Sequence, residues 1–393
     1  MGGHTGAMVS IAPTLPVVRY GECALADVLP SALAALGVAG ELNPLELSPT
    51  ARVVVLLVDG LGWPRLTRNG AAAPFLNSLD GRSLTAGFPT TTVTSLASLG
   101  TGLPSGAHGL TGYTSYLPDV ETTINWLSWR PAAGGESLVD VVVPEVVQPE
   151  RTVFERAEAA GVAVSIATVS AFGGTGLTRA VLRGGRFAGT VCGGDLITQV
   201  AAASRAGSRS LVYAYVSEMD LIGHVRGPDS EAWLAQLTIL DRLVEQLLDA
   251  LPADASLLVT ADHGMTTVPE HDKVDYDDSA VLQDGVLALA GEPRARYVHA
   301  RPGARADVHA AWRAELSERM WVLSRDEAIA GGLFGSTVSA AARSRIGDVV
   351  AISQGTAAVV RRQAEPRLSA LPGQHGALTD DDLLVPLLRA GRT

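Results

Sequence analysis

The chain has 393 residues, with 30 basic and 41 acidic side chains and a formal net charge of −11. Its 47% hydrophobic and 18% charged content excludes a disordered chain, and its length implies one large domain with an insertion, or two domains. The acidic balance argues against nucleic acid as a partner, but not against a phosphate substrate, because bound cations invert the local sign.

Residues 1–50 are rich in Ala, Leu and Pro. They read as an N-terminal extension packed on the core, with one helix over 24–36. The opening, Met1 to Gly6, has no basic stretch followed by a compact apolar run. No apolar run approaches the ~18–20 residues of a membrane span. Cys23 and Cys192 belong to no Cys-x-x-Cys or Cys-His pairing and read as reduced thiols. The expectation is a soluble cytoplasmic protein with no membrane partner.

Residues 52–58, Arg-Val-Val-Val-Leu-Leu-Val, are continuous and largely β-branched, as in a strand buried on both faces. The run stops at Asp59-Gly60-Leu61-Gly62. Next, Pro89-Thr90-Thr91-Thr92-Val93-Thr94-Ser95 places small hydroxyl residues at the start of a helix that leads to Thr101-Gly102. Tyr113, Tyr116, Trp126 and Trp129 follow; they could stack on a ring of a ligand or pack against the core. A helix is expected over 151–160. Apolar runs over 162–169, 211–216 and 256–261 repeat the strand pattern. The clearest helix spans 231–251, with Leu234, Leu237, Leu240, Val244, Leu247 and Leu248 on one stripe.

Strands alternating with helices predict an α/β fold: a mostly parallel central sheet covered by helices on both faces. From about 270 the pattern changes. Acidic turns (272–278), short strands (281–289, 295–300) and helical pieces (305–319, 337–345) predict an inserted subdomain over 271–369. The core is then 51–270 and 370–393. In such sheets ligands bind beyond the carboxyl ends of strands. Asp59, Asp220 and Asp262 all fall there.

Asp59 alone could cap the next helix. Asp262 could do the same, but His263 follows at once and sets an oxygen and a nitrogen toward one crevice, a mix that suits zinc. Asp220 and His224 lie four apart and share one side of a helical turn. His375 sits in Pro-Gly-Gln-His-Gly, where glycines allow the backbone a close approach. A Thr hydroxyl at a helix N-terminus faces free N–H groups suited to phosphate. It becomes a nucleophile only when a metal or base activates it. Two metals with an activated hydroxyl between them make a phosphoryl-transfer centre.

In the order and spacing of these segments, with Thr101-Gly102-Leu103 and His108-Gly109 between them, the chain resembles the alkaline phosphatase superfamily. Within it, the resemblance is to the nucleotide pyrophosphatase/phosphodiesterase family, over roughly 50–270 and 370–390. The resemblance implies that Thr92 is the nucleophile. Asp220, His224 and His375 would hold one divalent ion, and Asp59, Asp262, His263 and the Thr92 oxygen the other, with zinc expected and Mn or Fe also suited. The Val93 amide and Ser95 hydroxyl would take the non-bridging oxygens; Ser95 stands where many relatives have Asn. His108 would be structural. The implied substrate is a small-molecule phosphate ester or nucleotide, cleaved through a phospho-threonine in two in-line displacements. Phosphonate C–P hydrolysis, phosphomonoester hydrolysis and a catalytically dead relative are the alternatives. No Cys-x-Pro-x-Arg motif of the sulfatase branch is present. Nothing in the sequence signals an oligomeric state.

Overall fold

The computed structural model describes residues 15–391, so the opening Met1 to Gly6 lies outside it. Seven strands form the central sheet: β1 (Arg52–Val58), β2 (Asp80–Thr85), β3 (Ala163–Val169), β4 (Arg186–Thr190), β5 (Ser210–Val216), β6 (Ala255–Thr260) and β7 (Leu384–Gly391). Their order is β2-β7-β6-β1-β5-β3-β4. β1 runs parallel to β5 and β6, and β3 parallel to β5 and β4. Only β7 is antiparallel, to β6 and β2. The sheet is therefore mostly parallel, as the apolar runs predicted. Every residue of β5 and all but the first of β1 are buried, so both faces are covered.

Among the helices around this sheet are α1 (Val28–Ala35), α2 (Thr92–Thr101), α3 (Val153–Ala159), α4 (Glu218–Arg226) and α5 (Glu231–Ala250). α3 starts at a capping box in which the Glu155 amide donates to the Thr152 hydroxyl and the Thr152 amide to the Glu155 carboxylate. α5 buries Trp233, Leu237, Leu240, Val244 and Leu247, each Leu worth about 1.5–3 kcal/mol of burial. Asp241 interrupts that stripe. It is buried because its carboxylate accepts from the Phe75 and Leu76 amides at 3.2 and 2.8 Å. The segment before β1 lies against the edge of the sheet: the Arg19 amide donates to the Thr85 hydroxyl, and the Thr85 amide to the Cys23 carbonyl. Among the described helices none is long and apolar enough to cross a membrane.

Beyond β6 the chain builds a four-stranded antiparallel sheet from Val286–Glu292, Ala295–Ala300, Met320–Ser324 and Val349–Ser353. Its two faces alternate. Ala290, Tyr297, Val350 and Ile352 join Phe88, Ala377 and Leu378 of the core, while Leu289, Val298, Val349 and Ala351 pack on Trp312 and Leu316 of the helix Arg305–Leu316. The strand expected over 281–289 begins only at Val286. Residues Ala280–Gln283 form a helical turn capped by the Ser279 hydroxyl, and Gly285 separates the two. Two salt bridges pin the hairpin Val286–Ala300 to the rest of the chain: Arg294 to Asp382 and Arg296 to Glu365, each at 2.7 Å, with both arginines wholly buried.

Candidate metal centre and active site

Parallel strands end together, and the residues after them converge. Asp59 follows β1, Asp262 follows β6, and Asp220 with His224 stands on α4, just past β5. Gly60 takes φ +73°, and a Cβ there would lie 2.8 Å from the Asp220 Cα, so glycine is what lets the Asp59 turn approach α4. His375 enters from the segment before β7.

These side chains form two groups. Asp220, His224 and His375 make one; Asp59, Asp262 and His263 make the other, and within each group the donor atoms lie within 4.8 Å of one another. The two groups touch through stacked rings, those of His263 and His375. Neither Asp59 nor Asp262 caps a helix; Asp262 accepts instead from the Gly60 and His263 amides.

The histidine tautomers follow from their partners. Nδ1 of His224, His263 and His375 faces the carbonyls of Gly373, Gly264 and Thr90 at 2.8, 2.8 and 2.9 Å. A carbonyl can only accept, so each Nδ1 carries a proton, and in the neutral ring, the form that binds a metal, Nε2 is left with a lone pair. Those lone pairs face carboxylate oxygens. Nε2 of His263 is 3.4 Å from both Asp59 Oδ1 and Asp262 Oδ2, and Nε2 of His224 is 3.3 Å from Asp220 Oδ1. The three carboxylate oxygens are buried without a hydrogen-bond partner. Lone pair against lone pair is repulsive unless a positive charge lies between, so each group fits a divalent cation.

The charge balance agrees. Burial, and then the neighbouring Asp262 and Asp220 charges, raise the Asp59 carboxyl well above the usual range. Burial and Asp220 raise Asp262. His375 is pushed well below the ordinary imidazole value, first by burial and then by His263 and His224. A neutral imidazole and clustered carboxylates are the donor set a mixed N/O metal such as zinc takes. Sequence reasoning missed Tyr215, whose hydroxyl donates to Asp59 Oδ2. Nothing in an all-buried strand says which of its side chains meets the site.

Thr92 opens α2, its Oγ1 3.3 Å from His263 Nε2. The first intrahelical bond of α2 runs from the Ser95 amide to the Thr91 carbonyl. The amides of Thr92, Val93 and Thr94 therefore lie in the first turn, without intrahelical acceptors. No hydroxyl caps this helix: Thr91 holds the capping position without a cap bond, and its side chain goes to Glu292 instead.

Ser95 makes a contact that its place in the sequence does not announce. It is fully buried, and its hydroxyl donates to the backbone carbonyl of Asp262 at 2.7 Å. Its one proton is used there, which ties Ser95 to the Asp262 segment. His108 is structural, as expected. It is buried, with Nε2 3.1 Å from the Ser98 hydroxyl and Nδ1 accepting from the Leu110 amide.

Two cavities meet at Thr92, Asp220 and Leu127. One, of about 340 Å³, is largely apolar, with Leu96, Phe172, Leu177, Leu182 and Tyr215 in its wall. The other, of about 240 Å³, is reached past His224 and His375, with Tyr113, Glu292 and Gln374 in its wall. Hollows of about 490, 600 and 710 Å³ elsewhere contain none of the candidate ligands. Trp126 and Trp129 pack edge to face at 4.8 Å inside the core and are unavailable to a ligand.

Glu292 is the other residue that sequence reasoning passed over. Burial lifts its carboxyl to about 8, with the Thr91 hydroxyl opposing the rise. The only signal for it was an acid beside a proline between two strand-like runs.

This fold, with two Asp/His groups at the strand ends beside a helix-opening threonine, defines a metal-binding hydrolase of phosphoric ester or anhydride bonds. The chain belongs to the type I phosphodiesterase/nucleotide pyrophosphatase family, whose family model matches residues 53–378. The structure is similar to that of murine ectonucleotide pyrophosphatase/phosphodiesterase 5, with a TM-score of 0.68 and 18% identity over 86% of this chain and 88% of that one. An inactive threonine-to-alanine form of the murine protein, in complex with AMP, gives a TM-score of 0.69 at 18% identity over 87% and 88%. The human counterpart gives 0.64 at 17% identity over 86% and 88%. At these identities the likeness is one of fold. A comparison of the sequence with curated proteins returns no significant match.

Proposed function

We propose that the protein hydrolyses small-molecule phosphodiesters, nucleotide derivatives among them, through a covalent phospho-threonine at Thr92 beside two divalent cations, zinc by donor chemistry. Asp220, His224 and His375 would hold one cation; Asp59, Asp262, His263 and the Thr92 oxygen would hold the other. When bound, such ions neutralise the carboxylate cluster and acidify a hydroxyl or water beside them.

The observation that carries this reading is the position of Thr92. Its oxygen lies 3.3 Å from a ligand nitrogen of one group, at a helix N-terminus. Thr92 Oγ forms a bond to phosphorus as the ester bond to the first alcohol breaks. A water oxygen then attacks phosphorus, and Thr92 leaves. The amides of Thr92, Val93 and Thr94 provide donors for the non-bridging oxygens, where charge develops. That the inactive murine relative carries a threonine-to-alanine change and is complexed with AMP is in keeping with both the nucleophile and a nucleotide substrate.

Two cavities, one on each side of Thr92, suit a phosphorus with two ester substituents. A monoesterase needs one. The test is turnover of bis(nitrophenyl) phosphate, nitrophenyl phosphate and nitrophenyl phenylphosphonate by the zinc-loaded protein. The diester should lead the monoester in kcat/KM by about tenfold or more. A faster monoester, or a faster phosphonate, would replace this reading with the corresponding alternative.

A further inference from the structure

We propose that Tyr215 sets the metal preference of the site beside Thr92: its phenol takes one oxygen of Asp59 and leaves that group four donor atoms, a set selective for zinc. The inference rests on the two-cation reading above and assigns a positioning residue to one of the two sites.

The placement follows from strand register. Leu57 of β1 pairs with Tyr215 of β5, and side chains two apart along a strand share a face. Asp59 lies two residues beyond Leu57. Its amide donates to the Val216 carbonyl, which carries the pairing with β5 one residue past the end of β1. The Asp59 carboxylate therefore meets the Tyr215 phenol, which donates to Oδ2. Phe172 packs edge to face on the Tyr215 ring, with centroids 6.1 Å apart, so the buried hydroxyl is held in its aim.

Asp262 is arranged in the same way by other donors. Its Oδ1 accepts from the Gly60 and His263 amides at 3.1 and 3.0 Å, while its Oδ2 is buried and unpartnered. Asp59 Oδ1 is likewise buried and unpartnered. Each acid thus has one oxygen engaged and one left for a cation, and neither is free to chelate through both.

The spacing of the remaining donors agrees. From His263 Nε2 it is 3.4 Å to Asp59 Oδ1, 3.4 Å to Asp262 Oδ2 and 3.3 Å to Thr92 Oγ1. At the ~2.0–2.1 Å bonds of zinc to nitrogen and oxygen, a tetrahedron has edges of ~3.3–3.4 Å and an octahedron edges of only ~2.8–3.0 Å. These distances are tetrahedral edges. Manganese is best held in an octahedral set rich in oxygen, and a second Asp59 oxygen is the donor that Tyr215 withholds. Tyr213 supplies an internal control. It lies two residues earlier on the same face of β5, and its buried hydroxyl has no hydrogen-bond partner.

The test uses the full-length protein, stripped of metal and titrated with zinc or manganese against a chromogenic chelator, as wild type, Tyr215→Phe and Tyr213→Phe. Tyr215→Phe keeps the ring that packs on Phe172 and loses only the hydroxyl. Its ratio of zinc to manganese affinity should fall by about tenfold or more at one of the two sites and hold at the other. Tyr213→Phe should match wild type at both. Cobalt gives a second readout, because four-coordinate cobalt absorbs visible light strongly and six-coordinate cobalt weakly. Cobalt-loaded wild type should show the strong absorption, and Tyr215→Phe should lose part of it. An unchanged ratio in Tyr215→Phe overturns the assignment. So does an equal loss of affinity for both metals, which would make the phenol merely structural, or an equal shift in Tyr213→Phe. Wild type without four-coordinate absorption overturns it with no variant needed. If wild type binds no divalent ion, the two-cation reading itself falls and takes this one with it. If it binds them and only the ratio fails, the two-cation reading stands.

Discussion

His263 and His375 stack with ring centroids 3.7 Å apart and planes at 18°, one ring from each candidate ligand group. Each ring is fixed at its back by an Nδ1–H···O=C bond, so neither can rotate without breaking it. The two groups are therefore mechanically one unit. His375→Ala should lower occupancy of its own group and loosen the other, because the His263 ring loses its stacking partner. Elemental analysis of the purified variant should show clearly fewer divalent ions than wild type. Equal content in the two proteins would remove His375 from the ligand set.

Chelation should abolish turnover, and zinc should restore it. It should also lower the melting temperature, because three partnerless carboxylate oxygens, on Asp59, Asp220 and Asp262, converge with no cation between them. At zinc a hundredfold above its dissociation constant, the stabilisation would be about 2.7 kcal/mol per site. A melting temperature and a rate both indifferent to chelator would rule out a metal centre.

Ser95→Ala should act on stability more than on selectivity. The hydroxyl donates to a buried carbonyl, so its loss should cost about 1–2 kcal/mol in a denaturant melt. The ratio of diester to monoester turnover should hold. Ser95→Asn should be the worse variant, because the site is fully buried and the longer side chain overpacks it by roughly 1–3 kcal/mol. A shifted diester ratio in Ser95→Ala would return Ser95 to the phosphate site.

His108 should make the protein acid-sensitive. Burial pushes its imidazole down to about 3, with Arg345 adding to the effect. Its folded value thus lies below its unfolded one. Stability is full above the unfolded value, near 6.5, and is lost as pH falls from there toward about 3. The cause is visible: a second proton on Nδ1 would face the Leu110 N–H. Between neutral pH and about pH 4, wild type should lose on the order of a few kcal/mol more unfolding free energy than His108→Gln. Parallel pH curves for the two proteins would show that His108 titrates normally.

Much of the fold and site was legible in the sequence where one residue type has one use. β1, β5 and β6 are continuous apolar runs, and the acids that stop β1 and β6 or follow β5 could only lie at the carboxyl edge of a parallel sheet. β2, β4 and β7 escaped notice. β2 is a polar edge strand, β4 carries Gly189, and β7 carries Pro386, which pairs only with Ser83 on β2 and lies past the last pair with β6. The Asp262 contact of Ser95 was not legible because its spacing from Thr92 says which turn it occupies, not which carbonyl its hydroxyl meets. Glu292 was out of reach for a different reason: only the packing of the smaller sheet against the core carries it to a site whose other members are scattered along the chain from Asp59 to His375.

The central claim is tested most directly by turnover of bis(nitrophenyl) phosphate in Thr92→Ala, with metal content and melting curve measured on the same sample. The Thr92 hydroxyl meets His263 at 3.3 Å and anchors no other element, so the fold should survive its loss. The account predicts a rate lower by about a thousandfold or more, with a folded protein that still binds divalent ions. A folded, metal-bound Thr92→Ala protein that keeps its rate within about tenfold of wild type would contradict it.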